Sequence, residues 1–88
     1  MSWKIELEIG AAKALRKMDK SAKKPIVDFI DALQATENPR EKGQPLKGEL
    51  GEYWKYRVGN YRIIAKIFDE KMIIVLVKIG HRKDIYKK

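Results

Sequence analysis

A chain of 88 residues, 44% of them hydrophobic, has room for one domain, residues 1–88, around a single modest core. With no cysteine and one histidine, His81, it excludes disulfides, thiolate zinc and His-rich metal centres, and no cofactor is expected. The formal charge of +8 is carried mainly by the second half, where residues 46–88 hold eleven Lys/Arg against five Asp/Glu, so a polyanion is the first partner to consider.

The opening run "MSWKIELEIG" carries charge at Lys4, Glu6 and Glu8, which argues against a secretory signal and a membrane span and for the cytoplasm. Hydroxyl nucleophiles are scarce: Ser2, Ser21 and Thr36 all lie far in sequence from His81, leaving no basis for a serine hydrolase.

In chain order, Trp3, Ile5, Leu7 and Ile9 alternate with charged residues, the period of a strand with one buried face. Gly10 ends it. "AAKALRKMDK" then predicts a helix with Ala11, Ala14, Leu15 and Met18 on one side, broken at Asp19 and Lys20. Ser21 is placed to cap a second helix with Pro25 in its first turn, and Ile26, Phe29, Ile30 and Leu33 form a buried stripe up to about Thr36. The Pro- and Gly-rich stretch "ENPREKGQPLKGELGE" reads as a connection between elements.

Three strand-like runs follow, "YWKYRV", "YRIIAKIF" and "MIIVLVKI", separated by "GN" and "DEK", lengths suited to antiparallel hairpins. Gly80 closes the last run and "HRKDIYKK" forms the tail. The predicted fold is α+β: an N-terminal strand, a two-helix hairpin and a three-strand antiparallel meander, with the helices on one sheet face.

A two-residue turn at Gly59 and Asn60 pairs Val58 with Tyr61, so Arg57 faces Arg62 and Lys55 faces Ile64. The opposite face receives Trp54, Tyr56, Val58, Tyr61, Ile63 and Ala65. Read as a three-residue loop, "DEK" adds Ile73, Val75, Val77 and Ile79 to that apolar face and sets Lys78 opposite Arg62, with Gly80 and Arg82 on the same side. Like charges directly opposite in a sheet cost on the order of 1 kcal/mol per close pair in water. A phosphate held between them reverses the sign, because arginine presents paired N–H donors to it. The competing reading has these cations fanning into solvent near Glu49, Glu52 or Asp84.

His81 and Tyr86 are expected at the same end as the cations, where imidazole can shuttle a proton and a phenol can stack on a base. RNA cleavage by attack of the ribose 2′-OH on the adjacent phosphate matches such a set, since it needs proton transfer and stabilisation of charge on phosphorus.

The run "LKGELGEYWKYRVGNYRIIAKIFDEKMIIVLVKIGHRKDIY", residues 46–86, resembles the RelE-like toxins of type II toxin–antitoxin systems through "LKG", "Y-R-V-G-N-Y-R" and "G-H-R-x-x-x-Y". The resemblance implies a metal-independent mRNA endonuclease acting in the ribosomal A site. By position it implies that Arg62 clamps the scissile phosphate, and that Lys55 and Arg57 stabilise developing charge or help to deprotonate the 2′-OH. Arg82 would serve the leaving 5′ oxygen and Tyr86 would orient the substrate, with His81 a secondary acid–base candidate. Lys78 joins Lys55, Arg57, Arg62 and Arg82 in RNA binding. The implied partners are a cognate antitoxin and mRNA, with operator DNA reached only through the antitoxin complex. ParE-like toxins, which inhibit DNA gyrase, share the outline, and a non-catalytic nucleic-acid-binding module would need only the charge.

Overall fold

The computed structural model describes residues 2–46 and 53–81. In chain order it comprises β1 (Lys4–Leu7), α1 (Ile9–Lys17), α2 (Lys20–Ala35), a 3-10 turn (Pro39–Lys42), β2 (Gly43–Pro45), β3 (Tyr53–Val58), β4 (Tyr61–Phe68) and β5 (Ile73–His81). The class is α+β, as the pattern predicted. The sheet has five strands in the order β1-β5-β4-β3-β2. β1 lies parallel to β5, Lys4 opposite Ile73, and the other pairings are antiparallel.

The core lies between this sheet and the two helices. Ala11, Ile26, Leu33, Tyr56, Ile63, Ala65, Ile74 and Leu76 are fully buried, with Trp3 and Ile79 nearly so. Each large member contributes roughly 1.5–3 kcal/mol by leaving water. The stripe read along α2 holds: Phe29 and Ile30 pack against this cluster beside Ile26 and Leu33, and the Phe29 and Tyr56 rings lie 5.2 Å apart.

Three local expectations are corrected. The first strand stops at Leu7, and Ile9 opens α1 at 76% exposure, because the Glu8 carbonyl already accepts the helical bond from Ala12 N. The cap of α2 is Asp19, whose Oδ1 accepts from Ala22 N at 2.9 Å and from the Ser21 hydroxyl at 3.1 Å. Ser21 is therefore inside the helix, and Pro25 falls in its second turn. Both are exposed, so solvent can serve the Ser21 carbonyl that a proline cannot. Part of the expected connection, Gly43–Pro45, is an edge strand paired with β3.

The β3–β4 hairpin has the predicted register, with Val58 opposite Tyr61, Arg57 opposite Arg62 and Lys55 opposite Ile64. Gly59, at φ 58°, supplies the left-handed residue that the tight turn requires. The β4–β5 hairpin departs from its predicted register. Phe68 pairs with Ile73, so the loop includes Met72, itself left-handed at φ 53° and donating its amide to the Asp69 carbonyl at 3.2 Å.

One extra loop residue exchanges the faces of β5. Ile74 and Leu76 enter the core, and Ile73 and Val75 turn to the other side. A bulge then restores the parity: Ala65 pairs with Leu76 but Ile64 with Lys78, leaving Val77 as the extra residue. Beyond it Ile79 is buried as predicted, while Arg62 faces Gly80 and Lys78 faces Ile64.

Candidate anion-binding site

Strand β3 does two jobs because its residues alternate. Toward the helices, the buried Tyr56 hydroxyl donates to the Pro39 carbonyl at 2.9 Å, and Trp54 Nε1 donates to the Arg40 carbonyl at 3.1 Å. Burial pushes the Tyr56 phenol up to about 12, with the Arg40 charge pulling weakly the other way. Toward the outer face, β3 presents Lys55 and Arg57.

The 3-10 turn is held from its far side as well. Arg40 donates through both terminal nitrogens to the Asp69 carboxylate, at 2.7 and 2.9 Å, and its guanidinium lies 5.7 Å from the Trp54 ring centre. That paired hydrogen bond holds the Asp69 carboxyl below the usual carboxylate range and raises Arg40. The Asn38 side chain caps the turn through Arg40 N at 3.1 Å. Gly43 follows, opposite Tyr56, so close to β3 that any Cβ there would collide with the Lys55 carbonyl oxygen.

These clips set β2 and the end of the 3-10 turn beside the cationic strands. The result is a concavity of about 310 Å³ lined by Glu41, Lys42, Gly43, Gln44, Lys55, Arg57 and Arg62. Arg57 is exposed, Lys55 is partly buried, and Arg62 is only 7% exposed. The Arg62 Nη1 donates at 3.3 Å to the Tyr61 carbonyl, and among the described residues no carboxylate forms an ion pair with Arg57 or Arg62. Removing a guanidinium from water costs several kcal/mol unless a counter-charge meets it. The charge and shape of the hollow suit an anion.

Of the residues singled out in the sequence, Lys55, Arg57 and Arg62 come together. Lys78 shares their face but lies opposite Ile64, exposed and outside the lining of the concavity. His81 is separated from them. It pairs with Tyr61 on the helix-facing side, their rings edge to face at 5.6 Å, and lines a different hollow with Met18, Pro25 and Val58. Arg82 and Tyr86 lie outside the described residues, as do Glu49, Glu52 and Asp84. Glu41, Lys42 and Gln44 escaped the sequence reading because they fall in the stretch taken as a connection. The one available signal was Gly43-x-Pro45, whose alternation sends Gln44 to the Lys55 side. Among the described residues no group of three or more metal-ligating side chains gathers, and no helix is long and apolar enough to cross a membrane.

A family model described as the ParE toxin of the type II toxin–antitoxin system parDE matches residues 5–86. The chain belongs to this toxin family. It is RelE-like within it: toxin RelG of Mycobacterium tuberculosis is 30% identical over 88 residues, covering 100% of both chains. The mRNA interferase toxin RelE of Escherichia coli is 24% identical, covering 94% of this chain and 86% of its own. The toxin's fold is shared with crystal structures of two complexes. The RelBE2 toxin–antitoxin complex of Mycobacterium tuberculosis superposes with a TM-score of 0.82 at 26% identity, over 93% of this chain and 100% of the other. The archaeal RelE–RelB complex of Pyrococcus horikoshii gives 0.75 at 27%, over 93% and 97%.

Proposed function

We propose that this toxin is an endoribonuclease that cuts mRNA in the ribosomal A site through attack of the ribose 2′-OH on the adjacent phosphate, with charge stabilisation supplied by its own cations. The observation that carries this reading is the pairing of Arg57 with a buried Arg62 across one concavity, with Lys55 beside them. Arg62, with least freedom, grips the scissile phosphate through paired N–H donors. Arg57 and Lys55 meet the charge that builds on the non-bridging oxygens, where fixed donors lower a barrier most. Arg82 at the leaving 5′ oxygen and Tyr86 orienting the substrate come from the resemblance. Lys78 extends the cationic track along the same face. His81, on the other face, is given no part in proton transfer.

The partner of this reading is a cognate antitoxin, as the related toxins are found in complexes with RelB, and its binding would cover the cationic face in the cytoplasm. Operator DNA is contacted only through that complex. The family model's ParE description favours a second reading, inhibition of DNA gyrase. Incubation with translating ribosomes separates the two. Mapped transcript ends that appear with the wild type and vanish with Arg57→Ala and Arg62→Ala support the nuclease. Intact message with gyrase inhibited supports the second reading, and salt-sensitive RNA binding without cleavage would leave only a binding module.

A further inference from the structure

The hollow at Arg57 and Arg62 presents charge to a phosphate, but no aromatic side chain lines it to meet a base. The same sheet face continues past it. Because side chains alternate along β3, Trp54 and Tyr56 join the core side while Tyr53 turns to the face that carries Lys55 and Arg57. Tyr53 lies directly opposite Lys66 on β4, and Phe68 follows on the same face of that strand. The Lys66 ammonium stands 5.8 Å from the Tyr53 ring centre and 5.4 Å from that of Phe68. Phe68 is 38% exposed, and neither ring belongs to the core cluster. Ile73 and Val75 of β5, opposite Phe68 and Lys66, give this end of the face a partly buried apolar floor.

We propose that Tyr53, Lys66 and Phe68 form a stacking platform for bases of the RNA strand that flank the phosphate held at Arg57 and Arg62; the inference rests on the nuclease reading for the identity of the strand. The first observation is continuity. At a rise of about 3.3 Å per residue, Tyr53 lies roughly 7 Å from Lys55 along β3, and Lys66 about 13 Å from Arg62 along β4. An extended strand leaving the clamp along the sheet therefore crosses the rings within a short span.

Charge is the second. Every charged side chain of β3 and β4 is a cation on this face: Lys55, Arg57, Arg62 and Lys66. The one acid that the described strands set there, Glu6 opposite Val75, is met by Lys4 at 3.6 Å. The third is the order of groups. Strand propensity alone would accept any β-former at Tyr53 and Phe68, whereas two rings flanking one ammonium repeat the base, phosphate, base order of a nucleic-acid strand. Rings stack on any base through its π face, and the cation beside them meets the adjoining phosphate, so the platform holds the strand in line without choosing strongly among bases.

The test titrates the toxin with two single-stranded 2′-deoxy oligonucleotides of equal length, which lack the 2′-OH and are not cut by this route. One carries ordinary bases and the other is abasic along the same sugar–phosphate backbone. Wild type should bind the first about 5- to 100-fold more tightly, the range for one stacked base. Tyr53→Leu/Phe68→Leu, which keeps apolar bulk and loses both rings, should bind the two strands alike, with an unchanged salt dependence because no charge has gone. Tyr53→Phe should keep the preference, and Lys66→Gln should instead lower the salt slope by about 1. A wild type that holds both strands equally, or neither, overturns the platform. So does a preference that survives loss of the rings. A double variant that changes the sedimentation of the toxin and not its oligonucleotide affinity also overturns it, giving the face to a second copy of the chain. Message cleavage on translating ribosomes, read in parallel, keeps the two readings apart: base preference without cleavage sinks the nuclease alone, and cleavage without base preference sinks the platform alone.

Discussion

Arg57 and Arg62 are direct cross-strand partners, one exposed and the other 7% exposed. Their repulsion is about 1 kcal/mol where water screens it and larger where Arg62 is dry. An anion between them should therefore stabilise the fold. At ten times its Kd, inorganic phosphate would contribute about 1.4 kcal/mol, raising the Tm by about 5–10 °C in a chain of this size. The Arg57→Ala/Arg62→Ala double variant should lack that increment while showing any general salt effect. Equal phosphate-induced shifts in both proteins would remove the anion site, whether or not the toxin cuts RNA.

The register of the two hairpins shows how far a sequence reading reaches. At Gly59–Asn60 the turn chemistry allows one loop length, so the Arg57–Arg62 pairing follows by counting. At Asp69–Met72 nothing local distinguishes a loop of three residues from one of four, and Met72 takes a left-handed conformation that its side chain does not advertise. The bulge at Val77 is equally silent. The core then decides the matter: Ile74→Ala should cost about 2–5 kcal/mol, and Val75→Ala, on the opposite face and partly exposed, less than about 1.5 kcal/mol. Equal denaturation midpoints for the two variants would refute the observed register.

The cations of β3 and β4 were legible for the same reason as their hairpin. The rim formed by Glu41, Lys42 and Gln44 was not, because its place depends on tertiary clips from Trp54, Tyr56 and Asp69 rather than on local propensity. Gly43 makes that dependence measurable. Gly43→Ala should lower stability by about 1–3 kcal/mol as its Cβ forces β2 away from the Lys55 carbonyl. Gly10→Ala, in α1 with open space around it, should raise stability by about 0.5–1 kcal/mol. On the proposed nuclease reading, message cleavage by Gly43→Ala should fall as well, since the rim moves with the strand; calorimetry and transcript mapping on the same pair check both effects.

The clip predicts opposite pH dependences at its two ends. Asp69 is held below its unfolded value by Arg40, so its contribution is present above the ordinary carboxylate pKa of about 3.9 and is lost as pH falls through the folded one. Asp69→Asn should flatten that acid limb, and the effect should be under about 1 kcal/mol because the pair is largely solvated. Tyr56 behaves the other way. Its folded value of about 12 lies above the ordinary phenol value of 10.0, so its contribution is complete below the unfolded value and is lost as pH climbs to the folded one. Tyr56→Phe removes the bond to the Pro39 carbonyl, costing about 1–2 kcal/mol at neutral pH, and should abolish that alkaline loss. Urea midpoints measured across both pH limbs for the wild type and the two variants test the pair: a Tyr56→Phe curve parallel to wild type at high pH would mean that another group titrates there.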